Sequence, residues 1–185
     1  MFLPNDYKDP SSVSNYMKFA DGQNKIRILT DPLMGWEYWV EENGKRKPER
    51  REKFEDVPQE YRNPVDPSDK VKFFWVIGVW NYAESRFQIL ELTQVSIRKI
   101  IENLYKDEAW GDPKEYDITI TKSGEGFDTE YTTVPNPPKP FAKEGKLIPL
   151  VDLKALMSGE DPFDTTNMDT SLTQEDLDMI AEEVK

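Results

Sequence analysis

The stretch from Lys70 to Thr93 constrains the fold of this chain more than any other, because it is apolar on both sides of an alternating pattern. Two runs within it, 72–82 and 86–92, are rich in β-branched, aromatic and aliphatic residues. The intervening residues 83–85 are few enough for a hairpin loop, so the sequence predicts one long β-hairpin. A strand that is apolar throughout is either buried on both faces or offers aromatic side chains to a ligand on one of them.

Weaker patterns on either side of the hairpin predict further strands and one helix. The extended stretch over 24–41 predicts a first strand that bends near Gly35, or two short strands. Alternating residues predict strands at 116–122 and 129–134. Residues 94–106 carry one apolar stripe at helical spacing, with Thr93 as the predicted N-cap and with Arg98 and Lys99 on the solvent side.

Two proline-rich segments are predicted to be irregular. Residues 42–69 lack periodicity and contain four prolines, which predicts a long loop of the kind that usually has a function. A second group of prolines at 135–140 is predicted to end the fold, because proline lacks the backbone N–H that a sheet requires.

The order of these elements predicts a mainly β fold, α+β by count. It matches a five-stranded OB-fold Greek-key barrel with one helix between strands 3 and 4, followed by an irregular acidic C-terminal tail. The predicted divisions are an N-terminal arm at 1–23, an OB-fold nucleic-acid-binding domain at 24–145 with a long basic loop at 42–69, and an acidic tail with short helices at 146–185.

Charge is distributed unevenly along the chain. The formal net charge is −12, and residues 151–185 hold ten Asp or Glu against two Lys. The body that precedes them is therefore close to balanced and has enough Lys and Arg to form local basic patches. An acidic tail on such a body differs from a uniformly acidic protein, and it leaves nucleic-acid binding open.

The absence of Cys and His excludes several kinds of site. Disulfides, thiolate or imidazole metal sites and catalytic arrangements built on either residue are ruled out. Any metal would have to be held by oxygen ligands. The predicted site contains no metal and no cofactor, and the chain is predicted not to be an enzyme. No apolar run is long enough to span a membrane and the first residues do not form a secretory signal, so the predicted location is cytoplasmic, without membrane contact.

A basic run, GKRKPERREK at 44–53, lies where an OB-fold places a nucleic-acid loop. Proteins that bind single strands combine cations that follow the phosphates with aromatic rings on which bases stack. The predicted cationic residues are Arg27, Lys45, Arg46, Lys47, Arg50, Arg51, Lys53, Lys72 and Arg86. The predicted stacking residues are Trp36, Trp39, Phe74, Trp80 and Tyr82. For Trp80 and Tyr82, closure of a barrel end is an equally good interpretation.

The acidic tail has a predicted role in the same mechanism. It can lie in the basic groove when DNA is absent and leave when DNA arrives, which frees its motifs for partner proteins. The predicted partner-binding residues are Asp161, Pro162, Phe163, Asp176, Asp178, Glu182 and Glu183.

Five stretches carry a resemblance to a known family: WEYWV, FFWVIGVWNY, FQILELTQ, WGDPKEYDITITKSGEG and DTEY. Over roughly residues 15–165 the chain resembles the single-stranded DNA-binding proteins of tailed bacteriophages and prophages. The resemblance implies an OB-fold protein with an acidic tail that coats DNA during replication and recombination in the host cytoplasm and recruits replication proteins.

The resemblance also has limits. Asp161-Pro162-Phe163 is similar to the acidic Pro-Phe ending of bacterial single-strand binders, but here the motif is internal and lacks the free carboxylate that their partners grip. The structural zinc of some functionally related phage proteins has no ligands in a chain without Cys or His.

Two other classes of function stay open at this point. One is an OB-type protein-interaction module that does not bind nucleic acid. The other is a Mg²⁺-dependent nuclease, which requires carboxylates that converge on one site and is disfavoured because the acidic residues of the body are scattered through loops. The sequence leaves open the choice between DNA and RNA, the size of the binding site, and self-association.

Overall fold

The structure is a computed structural model that describes residues 14–166. Within this range the chain is mainly β, with seven strands, two α-helices and several short 3-10 turns. The strands are β1 (Gly22–Ile28), β2 (Leu33–Glu42), β3 (Lys45–Arg51), β4 (Lys72–Asn81), β5 (Arg86–Leu92), β6 (Asp117–Ser123) and β7 (Glu130–Pro135), and the helices are α1 (Gln59–Arg62) and α2 (Val95–Lys106).

The strands form one antiparallel sheet in the order β3-β2-β4-β1-β6-β7, and β5 pairs with β4 outside this order. The central strand β4 therefore has three neighbours, β1, β2 and β5. The register pairs Leu33 with Val76 and Ile28 with Val79, which places β1 and β2 end to end along β4.

The predicted hairpin is confirmed as β4 and β5, and the predicted helix is confirmed as α2. The helix begins at Val95, so Gln94 rather than Thr93 is its N-cap. Of the two alternatives for residues 24–41, the structure has two strands, which are separated by residues 29–32, and not one strand that bends at Gly35. Gly35 lies inside β2, where a Cβ would be 3.0 Å from the ring of Phe74.

The prediction of an irregular loop over 42–69 is wrong for most of the basic run. Residues 45–51 form β3, an edge strand that pairs with β2 through Glu42↔Lys45 to Trp36↔Arg51. The turn between them is Asn43-Gly44, and both residues have positive φ, at 53° and 71°. This is a strong hairpin signal, and Pro48 is tolerated because β3 lies at the sheet edge. The prediction of five strands is also wrong, because β3 is an additional strand and the first predicted strand is divided into β1 and β2.

The main core lies between the sheet and α2. The apolar stripe of α2, at Ile97, Ile101 and Leu104, packs against Ile26, Ile28, Ile77, Val79, Leu90, Leu92, Tyr116, Ile118 and Ile120. A smaller cluster of Tyr38, Val57 and Val71 joins β2 to the segment that contains α1. No helix within residues 14–166 is long and apolar enough to cross a membrane.

Candidate nucleic-acid interface

The β4–β5 hairpin carries a second apolar surface on the side away from the main core. Side chains alternate along a strand, so Ile77 and Val79 enter the main core while Val76 and Trp80 point the other way. This second surface, which we call the outer face, consists of Phe74, Val76, Trp80, Phe87 and Ile89. All five side chains are buried, which is unusual for the exposed side of a sheet.

The burial of the outer face comes from the chain itself. Residues 141–163, which we call the covering segment, pack across it. The ring of Phe141 contacts Trp80 at a centroid distance of 6.1 Å, and Phe163 meets Phe87 edge-on at 6.4 Å. Leu156 is buried against the same face. A base reaches the outer face only after the covering segment moves away.

The cations of the β2–β3 hairpin are mostly paired within the molecule. Arg46 pairs with Asp69, Lys47 pairs with Glu42 and Glu49, and Arg51 lies 3.5 Å from Glu49. Lys45, Lys53 and Lys72 are exposed and form no ion pair within residues 14–166. These three lysines are the predicted cations that stay available to phosphates.

Arg50 lies between two carboxylates at the edge of the outer face. Its Nη2 atom is 2.8 Å from an oxygen of Glu37 and 2.8 Å from an oxygen of Glu91. Its Nη1 atom donates to the carbonyl oxygen of Leu156 at 3.5 Å. Burial, with the charge of Glu91, raises the pKa of Glu37 although Arg50 opposes the shift. Arg50 therefore offers little free positive charge, and it links the sheet to the covering segment.

Arg27 is buried, with 1% of its side chain exposed, and it is fully occupied. Its Nε donates to Oδ1 of Asp117 at 2.8 Å and its Nη2 donates to the carbonyl oxygen of Lys139 at 2.9 Å. The Tyr82 hydroxyl donates to the same Asp117 oxygen at 2.9 Å. Arg27 is therefore inaccessible to DNA and is not part of the proposed interface.

The charges around Asp117 shift two pKa values in opposite directions. Burial raises the pKa of Asp117, but hydrogen bonds from Tyr82, Lys25 and Arg27 outweigh it and hold the pKa below the ordinary 3.8. Burial and the bond to Asp117 raise the pKa of Tyr82 to about 12. This network fixes β1 to β6 and to the chain that follows β7.

The remaining predicted residues have varied surroundings. Trp36 is half-buried between the rings of Phe54 and Phe73, at centroid distances of 5.0 and 5.1 Å. Trp39 is half-buried, with the guanidinium of Arg46 5.6 Å from its ring. Arg86 is half-buried and donates to the side-chain oxygen of Asn15 at 2.7 Å. The covering segment packs on the outer face and not on Trp39, so this predicted stacking residue stays accessible when the segment is in place.

The predicted partner motif belongs partly to the covering segment. Pro162 is buried, Phe163 packs on Phe87, and the exposed Asp161 accepts a hydrogen bond from the N–H of Phe163 at 3.0 Å. Asp176, Asp178, Glu182 and Glu183 lie outside the residues that the structure describes, as do residues 1–13 of the predicted arm.

A cavity of about 660 Å³, which we call the side cavity, opens on the opposite side of β4 from the outer face. Its walls include Phe73 and Trp75 of β4, Met34 of β2, and Tyr105 of α2. The guanidinium of Arg98 lies 5.0 Å from the ring of Phe73. The prediction that Arg98 lies on the solvent side of the helix is therefore wrong, because its guanidinium packs against Phe73 of the sheet.

The sequence predicts that the acidic tail competes for the groove, but it does not predict that residues 141–163 pack on the outer face through apolar side chains. The prolines at 135–140 predict the end of the fold because they cannot join a sheet, yet a chain without sheet hydrogen bonds still packs through its side chains. The available signal was the series of apolar residues that follows, at Phe141, Leu147, Ile148, Leu150, Val151, Leu153 and Leu156.

Comparison with known proteins agrees with the resemblance seen in the sequence. No protein-family model matches the chain. It is 25% identical over 136 residues to a protein of Escherichia phage T5 named as a probable ssDNA-binding protein. The match covers 63% of this chain and 52% of the phage T5 protein, so the chain spans about half the length of this curated relative. The resemblance to a phage single-stranded DNA-binding protein is thereby confirmed.

Proposed function

We propose that this protein binds single-stranded DNA without strong sequence preference and acts in phage DNA replication or recombination in the host cytoplasm. The observation that carries the proposal is the similarity to the phage T5 protein named as a probable ssDNA-binding protein. The aromatic outer face and the exposed side chains of Lys45, Lys53 and Lys72 are the chemistry that such binding requires. The function is binding and involves no reaction.

An OB-type barrel is the architecture that we propose for the sheet. Its support is the register, since β1 and β2 run end to end along β4 as one long bent strand. With that strand counted once, the order continues through β4, β5, α2, β6 and β7, which is five strands with a helix after the third. β3 and α1 are then additions to the connection between the first two strands of the barrel.

The proposed DNA path crosses the outer face, because β4 and β5 are the strands that bind oligonucleotides in an OB-fold. Trp80 and Phe87 are the proposed stacking residues, and Trp39 extends the path onto the β2–β3 hairpin. Lys45, Lys53 and Lys72 are the proposed phosphate contacts. Phe74 is 0% exposed, with the guanidinium of Arg50 5.5 Å from its ring, and it is not among the proposed stacking residues.

The covering segment must compete with DNA if this path is correct. It places the rings of Phe141 and Phe163 against Trp80 and Phe87, the rings that bases would use. We propose that binding of a single strand releases residues 141–163, so that Asp161-Pro162-Phe163 and the acidic residues beyond become available to replication or recombination proteins. This refines the predicted competition, because the contacts that hold the segment are mainly apolar rather than ionic.

Fluorescence anisotropy with labelled oligothymidine tests the function directly. We expect saturable binding of the single strand at low salt and weaker binding as salt rises, because lysine contacts to phosphates release counterions. A duplex of the same length and label is the control and should bind much less tightly. Equal affinity for duplex and single strand, or no binding of either at low salt, would contradict the proposal.

A further inference from the structure

The side cavity is an aromatic surface that the covering segment leaves open. Tyr105 and Met34 on its walls are 65% and 43% exposed, although both are large and apolar. Among the described residues, none of those that line the cavity belongs to 141–163. A contiguous exposed apolar surface of this kind commonly marks a binding site.

Arg98, beside the cavity, is half-buried and differs from Arg27 and Arg50 in having no carboxylate partner among residues 14–166. Arg27 and Arg50 are each paired with a carboxylate at 2.8 Å. Arg98 has no carboxylate within ion-pair distance in residues 14–166, and its closest hydrogen bond is a 3.4 Å contact from Nη2 to the carbonyl oxygen of Thr93. Its Nε is buried without a partner, and burial lowers the pKa of Arg98. A partly desolvated guanidinium that has no carboxylate partner can bind an anionic group of a ligand.

A second unpaired donor lies on the wall of the same cavity. The indole Nε1 of Trp75 is buried and has no hydrogen-bond partner within the described residues. Nε of Arg98 and Nε1 of Trp75 are both enclosed by the protein, so a ligand contacts Arg98 through its Nη atoms and Trp75 through the part of its ring that lines the cavity. The ligand that fits has a flat ring to stack on Phe73 and Trp75 and an anionic group for Arg98.

The charged residues that line the cavity bear on which anionic ligand is favoured. Asp31 and Asp112 flank Lys114, with its Nζ 2.6 and 3.6 Å from their oxygens, and Glu102, one helical turn from Arg98, pairs with Lys106. These carboxylates would repel an acidic peptide that extended along the cavity. A nucleotide places its uncharged base in the cavity and keeps its phosphate beside Arg98.

We propose that the side cavity holds one nucleotide of the bound single strand, with its base against Phe73 and Trp75 and its phosphate on Arg98. This inference rests on the proposed function and adds a subsite that is accessible while the covering segment is in place. A single strand can therefore engage the protein here before the outer face is uncovered.

The test compares two neighbouring cations of α2 in the full-length protein. Arg98→Gln removes the unpaired guanidinium, and Lys99→Gln removes an exposed charge one residue away as the matched control. We expect Arg98→Gln to weaken oligothymidine binding about tenfold or more, since a charge-assisted hydrogen bond is lost, and to reduce the salt slope by about 0.7. Lys99→Gln should change the affinity less than about twofold.

Arg98→Lys separates phosphate binding from a structural role. A lysine keeps the positive charge but loses the planar contact with Phe73, so the salt slope should return to the wild-type value while the affinity recovers in part. If Arg98 only supported Phe73, the salt slopes of Arg98→Lys and Arg98→Gln would be equal. That result would overturn the proposal. Thermal unfolding of each variant shows whether the fold is intact.

Photocrosslinking with an oligonucleotide that carries 5-iodouracil locates the base. Adducts on Phe73, Trp75 or Tyr105 are expected. Adducts on the outer face alone, with Arg98→Gln indistinguishable from Lys99→Gln, would overturn the subsite and leave the proposed function standing. Tighter DNA binding by Arg98→Gln would mean that the cavity holds an acidic segment instead. Failure of the unaltered protein to bind any single strand would overturn both proposals.

Discussion

Arg27 and Asp117 form a buried ion pair in which Nε donates to Oδ1 at 2.8 Å, with 1% and 0% of the side chains exposed. Asp117 is also 3.2 Å from the ammonium of Lys25 and 3.5 Å from that of Lys139. Three cations thus converge on one carboxylate. Its charge is what permits Arg27 to be buried in a mainly apolar sheet.

Asp117→Asn should destabilise the protein by about 3 kcal/mol at neutral pH, because the amide leaves Arg27 buried without a counterion. Urea unfolding followed by tryptophan fluorescence measures this loss. Asp21→Asn is the control, since Asp21 pairs with Lys122 while 79% of its side chain is exposed. A surface pair of that kind contributes less than about 1 kcal/mol. Equal losses for the two variants would contradict the assigned role of Asp117.

The contribution of Asp117 should depend on pH in a defined direction. Its pKa in the folded protein lies below the ordinary 3.8, so its stabilisation is complete above that value and is lost as the pH falls through the folded pKa. The difference in unfolding free energy between the wild type and Asp117→Asn should therefore be constant near neutrality and shrink below pH 3.8. A difference that grew on acidification would show that the carboxyl is protonated in the folded state.

Leu156→Ala should increase the affinity for single-stranded DNA. The truncation removes a buried contact worth about 2 kcal/mol or more, which shifts the covering segment toward release and leaves the outer face intact. We expect about a tenfold gain in affinity if release precedes binding. Leu147→Ala is the matched control, because Leu147 lies in the same segment and is 85% exposed. Weaker DNA binding by Leu156→Ala alone would show that the segment supports the DNA site.

Much of the salt dependence should come from Lys45, Lys53 and Lys72, which form no ion pair within residues 14–166. Changing Lys45, Lys53 and Lys72 together to Gln is expected to lower the salt slope of oligothymidine binding by about 2, at about 0.7 for each phosphate contact. Arg46, Lys47 and Arg51, changed together to Gln, are the comparison because each is paired with a carboxylate. A larger slope change in the second triple variant would mean that those ion pairs open on DNA.

The turn of the basic hairpin should tolerate little change at Gly44. Its φ of 71° is a conformation that other residues adopt at a cost, so Gly44→Val should destabilise the hairpin by about 1 kcal/mol or more. Hydrogen exchange of the β3 amides measures the local effect. Unchanged exchange in the variant would mean that the turn does not limit the stability of β3.

The strongly patterned parts of the fold could be predicted from the sequence. The apolar runs at 72–82 and 86–92 and the stripe of α2 identified the hairpin and the helix to within one residue. β3 was missed because Pro48 and its charged neighbours conceal the alternation, although Asn43-Gly44 was a sufficient signal for the turn. Local pattern thus found the elements with the most regular apolar spacing.

The site was harder to predict because long-range pairing decides which charges are free. Arg27, Arg50 and Lys45 look alike in the sequence, yet the first two meet carboxylates from distant segments and Lys45 meets none among residues 14–166. Burial of Trp80 depends on Phe141, which follows it by sixty-one residues and lies beyond the prolines that end the sheet. No local pattern contains that contact.

Hydrogen–deuterium exchange of the full-length protein, with and without oligothymidine, tests most directly whether a single strand replaces the covering segment. The Asp152 N–H donates to the carbonyl oxygen of Pro162 at 2.8 Å, and the Glu160 N–H donates to that of Ala155 at 3.0 Å, so these amides report on the segment. DNA should speed exchange at residues 152–163 and slow it in the β2–β3 hairpin. Slower exchange at 152–163 on DNA binding would contradict the account, because the segment would then be part of the binding surface.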